Sequence, residues 1–224
     1  MRHILLRIVL LISLAGLLSE IVAVVSDGDR PFWAQMISLS YEGNLPTWFS
    51  AGQLFLCSAV LAAIALVENR RRARYVPHWW GLCLIFAYIS LDEMISIHEN
   101  ADELLGSRGG FLYFEWVIPA TIVVGIIGLI YLNFLRYLPK ATRVRFIVAG
   151  MIYVGGALGV EMILGYWTDT HGKDNFGYGL IDWVEESMEI FGISLFLLAL
   201  LGYLETRVRI GAGAGGESSP DAGP

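Results

Sequence analysis

Residues 145–167 read RFIVAGMIYVGGALGVEMILGYW, and this stretch decides the fold. Apart from Arg145 at its edge, its one charged residue is Glu161. As a helix rising about 1.5 Å per residue it would cover about 34 Å, enough to cross the roughly 30 Å of a bilayer's hydrocarbon. Glu161 is therefore the anomaly, a carboxylate in a segment built for lipid.

Five further segments have the same character, near 4–25, 47–67, 80–100, 111–135 and 181–204. The whole chain of 224 residues is 56% hydrophobic and 16% charged. Soluble domains carry about 25% charged residues, so the balance excludes an ordinary soluble enzyme. The expected fold class is all-α: a polytopic bundle of six transmembrane helices over 1–208, followed by a disordered tail over 209–224. Cys57 and Cys83 each lie in an apolar run at different depths, which reads as two buried thiols rather than a disulfide.

Lys and Arg collect on alternate connections, in ENRRRARYVPH (68–78), RYLPKATRVR (136–145) and ETRVR (205–209). By the positive-inside rule these ends, together with Arg2 and Arg7, face the cytoplasm, so both termini are expected inside. The inner (plasma) membrane of a bacterium is the expected location. Trp33, Trp48, Trp79, Trp80, Trp116, Trp167 and Trp183 fall near span ends, as interfacial anchors do. The alternative for the N-terminus is a cleaved signal peptide ending near Ala23 to Ser26, which would leave five spans.

The ionisable residues inside the spans share one level. Counted from the basic end at 1.5 Å per residue, Glu20 and Glu161 lie at about 24 Å, Asp92 at about 18 Å, and His98 and Glu99 at about 27–28 Å. Counted from the opposite end, Glu115 and Glu185 are about 6 Å deep and Glu189 about 12 Å. Helical phase agrees. Tyr88, Asp92, Ser96, Glu99 and Glu103 form one stripe on the third helix, and Asp182, Glu185, Glu186 and Glu189 form another on the sixth. Each ionised group at mid-bilayer costs about 2.5–3.5 kcal/mol, so six or more would cost on the order of 10 kcal/mol before repulsion is added. No Lys or Arg lies in the acidic half of any span. The compensating charge is expected from bound metal, bound protons or loop residues folding inward.

The metal reading takes Asp92, His98, Glu99, Glu161, Glu185 and Glu189 as ligands, with Glu93, Glu115, Glu186 and His171 as further candidates. Carboxylate-rich donors suit Mn, Fe, Mg or Ca, and more imidazole would favour Zn. An enzyme built this way would be a metal-dependent intramembrane hydrolase or oxidoreductase. A second reading is a proton- or cation-coupled transporter or coupling subunit, although no acids continue into the basic half. A third is a scaffold or partner-binding subunit with a structural polar network. The expected partners are the lipid bilayer and either a second copy or another membrane protein; no nucleic-acid signature is present. Gly155 and Gly159, four apart on the fifth helix, read as a close-packing motif.

The strings SLDEMISIHE (90–99), GGALGVEMILG (155–165) and EESMEIFG (185–192) resemble a group of bacterial six-helix membrane proteins with no assigned activity. The resemblance implies a shared fold and shared acidic positions. Ser90 or Ser96, Asp92 and His98 are also similar to the zinc ligands of the alkaline ceramidase-like membrane hydrolases. The His-x-x-x-His pair of those enzymes has no counterpart here.

Overall fold

The computed structural model describes residues 2–97 and 109–216, with side chains described as far as Arg209. The described residues form helices joined by turns and short loops, with no strand among them. The elements are α1 (Arg2–Val25), a single turn α2 (Phe32–Gln35), α3 (Leu45–Arg70), α4 (Val76–Ile95), a 3-10 turn (Gly110–Leu112), α5 (Val117–Tyr137), α6 (Lys140–Val154), a π-helical segment (Gly155–Val160), α7 (Glu161–His171) and α8 (Phe176–Gly216). Five stretches are long and apolar enough to cross a membrane: Arg2–Val25, Leu45–Arg70, Val117–Tyr137, the continuous Lys140–His171, and Phe176–Arg209. The third expected span is not among them. Its counterpart α4 is 20 residues long and stops at Ile95, because Ser96 takes the left-handed conformation at φ 52°.

That stop corrects the expected stripe on the third helix. The helical register reaches Asp92 but is broken before Ser96 can continue it. His98, Glu99 and Glu103 lie outside the described residues. Two other boundaries move. α5 begins at Val117 rather than 111, so Glu115 precedes the helix, and α8 begins at Phe176 and continues to Gly216. Asn175 sets the start of α8: its Oδ1 accepts from the Tyr178 amide at 3.0 Å and from Trp167 Nε1 at 2.8 Å. Asn44 caps α3 in the same way, accepting from the Thr47 amide at 3.2 Å.

The two ends of the bundle differ in chemistry. At the basic end an aromatic core fills the space between α3, α4, α5, α6 and α8. Trp79 packs edge-on to Phe134 at 4.8 Å and against Tyr203 at 4.9 Å, while Phe196 stacks on Phe86 at 4.8 Å. Arg71 donates to the Arg207 carbonyl, and Gly202 lies close to Arg2 and Arg145, so α1 begins at the end where α8 emerges. Buried Glu68 is held by Tyr203 at 3.0 Å and Arg207 at 2.9 Å. Elsewhere the outer surface is apolar: Leu10, Leu11, Leu14, Ile122, Leu129, Ile130 and Met151 are all exposed. Such a belt would be an aggregation surface in water and is solvated by lipid tails in a membrane.

α6 and α8 approach closely through glycine, though not through the expected pair. A Cβ on Gly192 would lie 2.7 Å from the Tyr153 amide nitrogen, and one on Gly156 would lie 2.9 Å from the Glu185 carbonyl oxygen. Gly155 meets only the Met188 methyl, at 3.3 Å, and Gly159 faces open space. The close approach therefore uses Gly156 and Gly192, which brings the π-segment against the acidic turn of α8.

Candidate functional site

At the acidic end the helices part around a cavity of about 980 Å³. Eight carboxyl groups line it: Glu42, Asp92, Glu93, Glu161, Asp182, Glu185, Glu186 and Glu189. The four on α8 stand at i, i+3, i+4 and i+7, so one helical face suffices to present them. Asp92 and Glu93 come from the last turn of α4, and Glu161 follows directly on the π-segment. Of the expected ligands, Asp92, Glu161, Glu185 and Glu189 are brought together here, as are the further candidates Glu93 and Glu186. Glu115 is buried but does not line the cavity. His171 lies at the exposed end of α7, stacked on Trp167 at 4.3 Å with its Nδ1 2.7 Å from Thr170 Oγ.

The acids interact across elements. Glu185 is only 7% exposed, and the charges acting on it come from Glu161, Glu189 and Glu186. Its Oε2 is buried without a hydrogen-bond partner. Those acting on Glu186 come from Glu189 and Asp182 on its own helix, Glu93 on α4 and Glu42 in the segment before α3. The indole Nε1 of Trp116 donates to Glu161 Oε1 at 3.1 Å, which fixes that carboxylate against the cavity wall.

Loop residues do fold inward, as one of the three expected sources of positive charge. Arg30 returns from the loop after α1 and clamps Glu20 with two bonds, Nη1 to Oε1 at 2.8 Å and Nη2 to Oε2 at 2.6 Å. The same guanidinium donates to Ser38 Oγ at 2.7 Å. Ser40 then links the two acidic regions, its hydroxyl lying 3.0 Å from Glu20 Oε1 and also bonded to Asp182. Glu20 is thereby a structural ion pair beside the cavity, not a lining residue. Lys173, from the loop before α8, reaches the cavity mouth with its ammonium 5.3 Å from the Phe114 ring centroid.

Several lining residues were not legible in the sequence. Glu42 and Lys173 sit in loops, where no periodicity reports a facing direction. Trp116 reads as an interfacial anchor, and nothing in its spacing from Glu161 announces the bond between them. Tyr153 lines the cavity, and its backbone is the surface against which Gly192 packs.

Away from the acids the cavity wall is apolar, formed by Leu84, Ile85 and Ile89 of α4, Val123 and Ile127 of α5, and Leu158. α4 and α5 meet at the basic end, where Tyr131 Oη donates to the His78 carbonyl at 2.9 Å and Phe134 stacks on His78 at 5.5 Å. Toward the acidic end both helices line the cavity. Leu84 and Val123 both line the cavity and are exposed, at 69% and 53%.

Among the described residues no group of three or more His, Cys, Asp or Glu stands at metal-binding spacing. No curated protein and no solved structure matches the chain. Residues 4–203 match the model of the family described as a domain of unknown function, DUF8692, and the chain belongs to that family.

Proposed function

We infer that the chain is a six-span protein of the bacterial inner membrane, with both ends in the cytoplasm, whose acidic cavity binds a divalent metal ion. At 20 residues α4 is about 30 Å long, sufficient for a sixth span if its acidic last turn faces the cavity and not lipid. The basic end, with Arg70, Arg71, Arg136, Arg143 and Arg207, belongs on the cytoplasmic side. A reporter fused after Glu205 should therefore be cytoplasmic, and one inserted within 102–108 external. The reverse result at both positions would place the acids in the inner leaflet and overturn this topology.

The observation that carries the metal reading is Glu185. It is a buried carboxyl group facing other carboxyl groups, with Glu161 in hydrogen-bonding reach and its own Oε2 without a partner. A cation bound there would offset both the burial and the repulsion. Glu161, Glu185 and Glu189 are the proposed ligands, with Asp92 on the facing wall. An ion would draw them together by rotation of their side chains. An all-oxygen set favours Mg, Ca or Mn over Zn.

The donor spacing supports a second reading, in which protons neutralise the acids and the cavity serves a proton- or cation-coupled process. Thermal unfolding with and without chelator separates the two. If metal binds, wild type should lose about 2.7 kcal/mol on chelation from a hundredfold excess over Kd, and Glu161→Gln should start low and not respond. If protons neutralise the cluster, wild type should ignore the chelator and Glu161→Gln should be at least as stable. The amide matches a neutral carboxyl in shape, and its Oε1 can still accept from Trp116.

A further inference from the structure

We propose that the cavity takes a lipid amine, an amphiphile with one hydrocarbon chain and an ammonium headgroup, admitted sideways from the membrane between α4 and α5. The inference rests on the proposed cation-binding cavity for its polar end: the ammonium takes the place of the divalent ion at Glu185, so the two compete for the same carboxylates. Its apolar end stands on the shape of the bundle alone.

Three features of the cavity meet in this ligand. The first is its division into two chemistries. Carboxylates from α4, α7 and α8 cover one end, and aliphatic side chains from α4, α5 and the π-segment cover the other. Along α5, from Pro119 to Ile127, the apolar wall runs for about 12 Å, room for a chain segment rather than a compact solute. At about 980 Å³ the space is at the top of the roughly 300–1,000 Å³ usual for small-molecule sites.

The second feature is an exposed apolar rim. α4 and α5 are pinned together at one end by Tyr131, His78 and Phe134, and both line the cavity beyond that contact. Leu84 and Val123 line the cavity and are also exposed on the outer surface. In a bilayer such exposed apolar side chains face acyl chains, so a tail entering beside them would not cross water.

The third feature selects the headgroup. The buried Glu185 oxygen lacks a donor, and an ammonium brings three. Phe114, Trp116 and Tyr178 line the same end, offering ring faces to a cation. The protein already places one ammonium in this setting, Lys173 over Phe114. Where no divalent ion is bound, an anionic headgroup would meet eight carboxyl groups and be repelled.

The test uses the full-length protein in nanodiscs and a matched pair of photoactivatable probes, a long-chain primary amine and the carboxylic acid of the same chain length. The amine should crosslink to the peptides carrying residues 119–127 and 153–158, and the acid should label them at least tenfold less. Ile127→Trp fills the tail end, ten residues from the start of α5 beside Glu161. It should lower amine labelling about tenfold, the effect of withholding two methylenes from burial, while leaving thermal stability and metal content at wild-type levels. Glu185→Gln should narrow the preference for amine over acid. Equal labelling by both probes, or labelling indifferent to Ile127→Trp in a folded variant, would overturn the proposal and mark the cleft as filled by bulk lipid. Failure of the metal reading is seen separately, as metal-free wild type that still prefers the amine.

Discussion

Arg30→Met should destabilise the protein by about 3–5 kcal/mol, the cost of leaving a buried carboxylate without its partner. Glu20 is 3% exposed and the guanidinium that clamps it is itself largely buried, so water cannot replace the lost bonds. The loss reaches further than one pair. Arg30 also holds Ser38, and Ser40 ties Glu20 to Asp182 at the cavity edge. Adding Glu20→Gln to Arg30→Met should recover most of the stability, because the unpaired charge is then gone. Thermal unfolding in detergent, followed by the reactivity of buried Cys57, measures all three proteins. Equal stability of Arg30→Met and wild type would show that the ion pair is not formed in the membrane protein.

Gly192→Leu should cost about 3 kcal/mol, near the upper end for overpacking, and should also disturb the acidic cavity. The new side chain would strike the Tyr153 backbone, where a Cβ would already lie 2.7 Å from the nitrogen and 2.9 Å from Cα. No rotamer change relieves a clash with backbone, so α6 and α8 must separate, carrying Glu161 away from Glu185. Gly150→Ala on the same α6 is the control. Nothing lies within 4 Å of its Cβ position, and the change should stabilise by no more than about 1 kcal/mol. A Gly192→Leu protein as stable as Gly150→Ala would contradict the close approach.

The apolar spans were legible in the sequence because length and hydropathy alone define them. The acidic face of α8 was legible too: the helix is regular there, so a phase of 100° per residue places Asp182, Glu185, Glu186 and Glu189 together. The same arithmetic failed on α4, where Ser96 turns left-handed and ends the register one turn early. It also failed to choose the right glycines on the fifth span. The π-segment at Gly155–Val160 adds residues to a turn, so the faces before and after it are rotated relative to a regular helix. Gly156 therefore meets α8 where the regular pattern points to Gly155 and Gly159. The return of Arg30 onto Glu20 could be framed only as one of three ways to balance the acids. A loop carries no period from which its direction can be read.

The acidic cavity's need for a cation is the centre of this account, and elemental analysis tests it most directly. Protein purified in detergent without chelator should carry about one divalent metal ion per chain, the occupancy of a single carboxylate site. Glu185→Gln and Glu161→Gln should each carry far less while remaining folded. Metal-free wild type, prepared in buffer supplemented with Mg, Ca and Mn and as stable with chelator as without it, would contradict the metal site.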